Sequence, residues 1–488
     1  MLESRSSLLS RIAKNSVVGM VEKLFEIVTG VVSISILARY LNIESFGLYT
    51  IILTYIGLLI TLGNVGLDRI MVRNIAANKE KLLEHLQDMK GASIVIAGFS
   101  LILIIIISYL LRLENEMTIA AVSLFAISEL LAMYGTIYMS VFKAFEKMEY
   151  NTFITFLAKT VGMVGLITVT YLNLGFFAIF AALAVGNVFK AFLTISIFKK
   201  YFSRKHIPVS FTNSGAIIKE VLIIAVSIFF AAASLRMGVF MLKAFGALKD
   251  VAYFQAANAL FLQVQPIAVV FVTALYPVIS NRKQSPILIF EKAAKYIFIM
   301  SLPVMAIMFF CGNELIVLIY GSNYMAAIPA MKILMLSVAF AFLANLFEIG
   351  LLAEHRQNML TIGWGISFFV NLVLGVFLVP KYGIIGCAAV MSLSYMTLLF
   401  ALYYFTSNYT MFKIKKNIFL KPGVAFLIMV FYLYFFTATG KPLSIKLDIL
   451  NSLVSLSLYM AVLFMLKAFS IKEVELVKNL LAPKMFSK

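Results

Sequence analysis

The run ASIVIAGFSLILIIIISYLL, Ala92–Leu111, is twenty residues long and contains no charged side chain. At about 1.5 Å of rise per residue, a helix of that length covers the about 30 Å hydrocarbon layer of a bilayer. Outward from it, similar apolar runs follow almost end to end. They occupy 16–38, 45–67, 91–111, 118–141, 152–172, 176–198, 220–242, 252–277, 293–311, 328–353, 360–379, 383–405, 418–437 and 448–467. The stretch GNELIVLIYGSNYM, Gly312–Met325, is too short to cross and fits an interfacial or re-entrant helix. Composition agrees with this reading. The chain is 62% hydrophobic and 13% charged, whereas soluble domains carry about 25% charged residues. The expectation is an all-α integral membrane protein with 14 transmembrane helices. The first run reads as a span rather than a cleaved leader, because Met1–Lys14 is polar and no small-residue cleavage site follows.

The net charge of +19 has three possible sources: nucleic-acid binding, an anionic surface or a topology signal. Placing the N-terminus inside puts 29 of the 41 Lys and Arg residues in inner segments and seven in outer ones. That asymmetry is the positive-inside signature, with both termini cytoplasmic and the protein in the cytoplasmic membrane. No soluble stretch is long enough for a nucleic-acid-binding domain. The longest loop, Asp68–Lys90, carries LLEHL at helical spacing and reads as a surface helix on the cytoplasmic face. The isolated Cys311 and Cys387 offer neither a disulfide framework nor a metal site. His85, His206 and His355 read as loop residues without accompanying ligands, and no phosphate-cradling G-x-x-x-x-G-K-[ST] loop is present. No cofactor and no enzyme chemistry are expected.

An internal repeat organises the spans. FEKMEY (Phe145–Tyr150) and AEHRQN (Ala353–Asn358) precede spans five and eleven, and NLGFFA (Asn173–Ala178) matches KYGIIG (Lys381–Gly386) at the same offset of 208. Arg39 and Tyr49 pair with Lys243 and Tyr253 at an offset of 204. The reading is two pseudo-symmetric six-helix lobes plus two C-terminal helices, with boundaries at 1–200, 219–410 and 411–488. Two lobes related by an axis along the membrane normal leave a mid-membrane seam, where alternating access places its substrate.

Polar residues inside spans are costly and usually face protein or water. Span one carries Asn15, Glu22, Lys23, Glu26, Thr29 and Ser33; span two carries Thr50, Thr54, Thr61, Asn64 and Asp68. Glu129, Thr136 and Ser140 lie in span four, and Thr152, Thr155 and Lys159 in span five. Ser227 and Arg236 lie in span seven, and Asn258 and Gln265 in span eight. Together these stripes suggest a hydrated cavity. Lys23, Lys159 and Arg236 are its candidate substrate-binding cations, joined by Arg69 and Arg73 at its cytoplasmic mouth. Arginine forks suit phosphate oxygens, so an anionic lipid-pyrophosphate headgroup is the expected ligand. Glu22, Glu26 and Glu129 are candidates for coupling to H+ or Na+. Lys190 and Lys332 read as snorkelling side chains, Trp364 as a packing residue, and Glu348 as able to pair with a neighbour or approach the inner face.

The stretch LARYLNIESFGLYTIILTYIGLLITLGNVGLDRIMVRNIA, Leu37–Ala76, resembles the N-terminal signature of the polysaccharide transporter (PST) family. Its elements are Leu37–Arg39–Leu41, Phe46–Gly47–Tyr49 and Gly66–Leu67–Arg69–Arg73; ALYPVIS (Ala274–Ser280), IYGSNYMAAIPAMKIL (Ile319–Leu334) and VPKYGIIGCAA (Val379–Ala389) extend the likeness. Val251 stands where the repeat would place a second Gly47. The resemblance implies a Wzx-type O-antigen or lipid-linked oligosaccharide flippase of the multidrug/oligosaccharidyl-lipid/polysaccharide (MOP) superfamily. It further implies a polyprenyl-pyrophosphate-linked glycan as substrate, a basic central cavity, ion coupling, contact with membrane lipids and glycan polymerase machinery, and a lipid-tail groove formed by the last two spans. The alternatives are a MATE-like ion-coupled multidrug antiporter and a membrane-embedded glycan polymerase or ligase.

Overall fold

The computed structural model describes residues 5–111, 115–203, 207–280, 286–437 and 445–469. Among them there are fifteen α-helices and no strand. In chain order the helices are α1 (Arg5–Tyr40), α2 (Ile43–Ala77), α3 (Leu82–Leu110), α4 (Glu116–Ala144), α5 (Met148–Tyr171), α6 (Phe176–Tyr201), α7 (Ser214–Phe245) and α8 (Leu248–Ser280). They continue with α9 (Pro286–Cys311), α10 (Asn313–Tyr320), α11 (Ile328–Leu336), α12 (Val338–Ala353), α13 (Gln357–Tyr409), α14 (Leu420–Thr437) and α15 (Ile445–Met465). Among the described residues, 11 helices are long and apolar enough to cross a membrane, or 12 when α11 and α12, bent by 43°, count as one crossing. This is a multi-pass helical membrane protein.

Two expectations are corrected here. The segment 68–90 forms no separate surface helix: α2 runs on to Ala77 and α3 begins at Leu82, leaving a single short 3-10 turn between them. LLEHL is therefore the first part of the crossing helix, and His85 is helical rather than in a loop. Once a helix has nucleated, each further residue adds a backbone bond, so both helices extend beyond their apolar runs until Asn78 caps the turn.

The repeat has a local structural counterpart. Glu146 and His355 both have positive φ just after a helix end, at 57° each. The next residues close the same six-to-one bond, Lys147 N–H to Phe142 O and Arg356 N–H to Leu351 O, both at 2.8 Å. These are left-handed helix terminations. They pair Glu146 with His355 rather than with Glu354, a shift of one residue from the sequence alignment. Gly175 and Gly383, which the alignment does pair, both have positive φ, at 87° and 54°. A side chain would be strained at either.

The chain clusters into two compact units. One holds the chain to Gln255 with Ile319–Asn323 and Asn371–Cys387; the other holds Ala256–Leu318, Tyr324–Val370 and Ala388 onward. In the first, α2 packs against α3, α4 and α7, while α6 packs on α4 and α5, and α1 on α5. Its core joins Leu67, Ile70 and Met71 of α2 to Leu86 and Met89 of α3, Tyr138 and Phe142 of α4 and Phe198 of α6. In the second, α14 and α15 dock on α9 through Leu302, Met429, Leu433 and Leu463, and Tyr459 Oη donates to Ile299 O at 3.1 Å.

The connection after α6 is fastened to α3. Buried Lys90 donates to Ile207 O at 2.6 Å, Ser210 N–H bonds to Gln87 O, and Asn213 donates to Asp88 at 2.7 Å. Lys90→Met removes the buried donor and orphans a carbonyl, at a cost of about 1–3 kcal/mol. The connection should then be cleaved faster by trypsin in the purified protein, with the membrane-embedded fragments unchanged.

Candidate functional site

A cavity of about 620 Å³ lies within the first compact unit, lined by α1, α2, α4, α5 and α6. The sequence stripes converge on it. Glu22, Glu26, Thr29 and Ser33 come from α1, and Asn64 and Asp68 from α2. Glu129, Thr136 and Lys143 come from α4, Asn151, Thr155 and Lys159 from α5, and Asn187 and Lys190 from α6. Helical geometry explains the convergence: residues three, four and seven apart share a face, and each of these helices turns one polar face inward.

Each carboxylate has a partner. Asp68 accepts from Lys143 Nζ through both oxygens, at 3.0 and 2.9 Å, and from Ser140 Oγ at 2.6 Å. Glu26 lies 3.5 Å from Lys159 Nζ. Glu129 accepts from Asn187 at 2.9 Å, and Glu22 accepts from Thr152 Oγ1 at 2.8 Å. Lys190 stands in the combined field of Glu129, Lys159, Glu26 and Glu22. The buried Oδ1 atoms of Asn64 and Asn151 have no hydrogen-bond partner among the described residues.

The structure therefore brings Glu22, Glu26, Glu129 and Lys159 together, and it separates the arginines from them. Arg236, on α7, donates to Ala232 O of its own helix at 3.2 Å and does not line this cavity. Arg69 is exposed and outside the lining. Arg73, also outside it, is held by Glu220 of α7 in a two-pronged pair, Nη2 to Oε2 at 3.0 Å, so its charge is already answered. The side chains of Lys23, Asn15 and Ser227 lie outside the described residues, as does His206.

Two lysines escaped the sequence reading. Lys190 is a cavity residue instead of a snorkelling one, and Lys143, counted as a loop cation, is the partner of Asp68. Lys143 sits at the end of α4 and Lys190 about three turns before the end of α6, and position along the chain gives no sign of which way either long side chain turns. The expected basic cavity included Lys23, whose side chain lies outside the described residues. Among the described lining residues, four carboxylates (Glu22, Glu26, Asp68, Glu129) face three ammonium groups (Lys143, Lys159, Lys190).

The Lys143–Asp68 pair is partly open, its side chains 34% and 24% exposed. Its net worth is accordingly nearer the about 1 kcal/mol of a solvent-facing pair than that of a fully buried one. Its main effect is to fix α4 against α2. Asp68→Lys or Lys143→Asp alone should lower the thermal midpoint of the purified protein, and the double exchange should recover most of the loss.

In the second unit, Trp364 also departs from its expected packing role: its Nε1–H donates to Glu348 Oε1 at 2.9 Å. Thr54 and Thr61, read as cavity hydroxyls, instead bond the carbonyls of Thr50 and Gly57 in their own helix.

The helices long and apolar enough to cross a membrane and the charged side chains lining this cavity define the class, a multi-pass helical membrane protein with a partly open cavity among its helices. The chain belongs to the family described as Polysaccharide biosynthesis protein, whose model matches residues 12–283, more than half its length. No curated protein matches it in sequence. Among solved structures it is similar to the lipid II flippase MurJ in an inward closed conformation, at 16% identity and a TM-score of 0.75, covering 92% of this chain and 98% of that one. A multidrug resistance MATE family transporter in its inward-facing conformation gives a TM-score of 0.61 at 14% identity, covering 79% and 94%. A MOP superfamily transporter from Pyrococcus furiosus gives 0.60 at 14% identity, covering 81% and 94%. At these identities the likeness establishes a shared fold.

Proposed function

We propose that the chain carries a polyprenyl-pyrophosphate-linked oligosaccharide across the cytoplasmic membrane by alternating access, for surface polysaccharide synthesis. The supporting observation is the lysine-bearing cavity, in a chain of a polysaccharide biosynthesis family with a flippase-like fold. A pyrophosphate needs ammonium donors, and a glycan needs acceptors for its hydroxyls. Lys159, Lys190 and Lys143 supply the first; the carboxylates and the asparagines Asn64, Asn151 and Asn187 of the same lining supply the second.

The lysines rest on carboxylates until substrate arrives. A pyrophosphate carries more charge than the Glu26 carboxylate and presents oxygens to several donors at once, so it draws Lys159 away from its partner. Protonation of the displaced acid removes the repulsion between Glu26 and the phosphate. Coupling to H+ or Na+ through Glu22, Glu26 or Glu129 fits this exchange.

The accompanying topology has both termini cytoplasmic and 14 crossings arranged as two six-helix lobes plus two. The 53-residue α13 counts as two crossings, divided at Gly383, whose φ of 54° and ψ of −130° are not helical. The helix α1 serves as the first crossing.

The test is a strain lacking this gene. Lipid-linked oligosaccharide should accumulate on the inner leaflet, and the wild-type chain should clear it. Normal surface glycan in the deletion strain would overturn the reading. One observation favours a second reading: among the described lining residues, carboxylates outnumber ammonium groups by one, which suits an ion-coupled antiporter of cationic drugs. Drug efflux that requires Glu26 or Glu129, together with unaltered glycan export, would establish that alternative.

A further inference from the structure

A second polar cluster, within the other compact unit, is separate from the lysine cavity. Its centre is Glu348 on α12. This carboxylate stands in a helix whose other side chains are apolar except Asn345, one turn earlier on the same face. Its Oε1 accepts from the Trp364 indole on α13. The Trp364 ring meets the buried Tyr395 edge-on at 6.5 Å, and Tyr395 meets Phe261 of α8 at 5.2 Å. One turn beyond Phe261, Gln265 accepts weakly from Asn345 at 3.5 Å, and its own buried amide nitrogen is unsatisfied. Buried Asn258 Oδ1 on α8 also lacks a partner among the described residues.

The decisive feature is what faces the carboxylate. From α13 come Trp364 and Tyr395, with Tyr403 packed against the neighbouring Phe347. From α8 come neutral amides. On α9, whose Phe290 packs on Phe347, Glu291, Lys292, Lys295 and Tyr296 form no pair with Glu348; on α11, Lys332 lies over the Phe309 ring. Among the described residues, no Lys or Arg neutralises it.

An ionised carboxylate inside a membrane bundle costs a few kcal/mol on insertion scales unless a cation answers it. In the lysine cavity every acid has a donor or ammonium partner from a facing helix. Here a single neutral N–H is the partner. Such a group gains most by binding a proton, the one cation that needs no cage of further ligands. We propose that Glu348 is a proton-binding site within the second unit, one oxygen oriented by Trp364 while the carboxylate takes up and releases one H+. On uptake the proton bonds to a carboxylate oxygen, giving the neutral acid. The indole bond then loses its charge assistance and weakens, since hydrogen bonds to ions are roughly twice as strong as neutral ones. If the transport reading above holds, this proton is a coupling ion, taken from one side and delivered to the other. The protonation itself does not depend on that reading.

The chain provides its own reporter, because Trp364 is the only tryptophan in it. In purified protein in nanodiscs without sodium, excited at the red edge where tyrosine does not absorb, the emission should follow a one-proton titration curve. Glu348→Gln should abolish the curve; Glu129→Gln and Glu26→Gln should leave it unchanged. Tyr395→Phe should move its midpoint without removing it. In infrared difference spectra over the same pH step, a protonated-carboxyl band should be present in wild type and absent in the Glu348→Gln variant. A flat wild-type emission, a curve that survives in Glu348→Gln, or a response to sodium at fixed pH in place of a response to pH would each overturn the proposal. In proteoliposomes, the dependence of transport on a pH gradient should be lost in Glu348→Gln. Wild-type protein that titrates yet moves no lipid-linked glycan would overturn the transport reading and leave the proton site standing.

Discussion

Lys159→Ala should abolish glycan export while the protein still reaches the membrane. Lys159 lies 3.5 Å from Glu26 and lines the cavity. Its removal deletes one of three ammonium groups among the described lining residues and takes the Lys159 charge away from Glu26. Both effects disfavour an anionic headgroup. A charge-assisted hydrogen bond to phosphate contributes about 1.5–3 kcal/mol, and the uncovered carboxylate adds repulsion, so a fall of about a hundredfold or more in initial export rate is expected. Lys159→Arg keeps the charge and should retain much of the activity. Glu26→Gln in the Lys159→Ala background removes the repulsion and should restore part of it. The measurement is clearance of inner-leaflet lipid-linked oligosaccharide in a deletion strain. Full clearance by Lys159→Ala at normal expression would eliminate this lysine as a substrate ligand. Lys190→Ala should behave alike, with Glu129→Gln as its compensating partner.

Gly47→Val should prevent recovery of folded protein altogether. Gly47 lies in the first turns of α2, and a Cβ built on it would stand 2.1 Å from the carbonyl oxygen of Leu248 at the start of α8. That contact is with backbone, which cannot rotate out of the way. Accommodating a side chain requires the two helices to part, with loss of packing around the buried Phe46 and Val251 beside the contact. Overpacking a core typically costs about 1–3 kcal/mol, and more where backbone must move. Even Gly47→Ala should lower the thermal midpoint clearly. The control is Gly57→Ala in the same helix: open space surrounds that position, and alanine is the better helix former. Size-exclusion profiles and melting curves of the solubilised protein decide the matter. A monodisperse Gly47→Val variant with a wild-type midpoint would contradict the close approach. Here the structure supplies a reason for the glycine that the sequence showed only as part of a motif: the helix start at Leu248 is what Gly47 admits.

The membrane class and the location of the cavity were legible in the sequence for one physical reason. A bilayer penalises every charge it must solvate, so an acid or a stripe of hydroxyls inside an apolar run records a face turned to water or protein. Glu22, Glu26, Asn64, Asp68, Glu129, Thr136, Thr155 and Lys159 could be picked out on that ground, and all of them line one cavity. The same argument fails for Lys143 and Lys190. A lysine within a few turns of a helix end can turn its flexible stem toward the interface or the interior, and the unpacked helix does not decide between them. It fails again for Arg73 and Arg236, whose partners, Glu220 and the Ala232 carbonyl, follow from helix placement and rotamer.

By itself, then, the amino-acid sequence determined that the chain is a helical membrane protein, which residues its helices withhold from lipid, and where the turns of its repeat fall. All of these follow from local hydropathy, spacing and backbone preference. Only the tertiary structure decided which of the described charges share the cavity, because that depends on which faces five helices bring together. It alone paired Lys159 with Glu26 and Lys143 with Asp68, and set the one indole of the chain against a carboxylate that no Lys or Arg among the described residues neutralises. Such pairings join residues far apart in the chain, and they are fixed by the packing of helices, of which linear order carries no record.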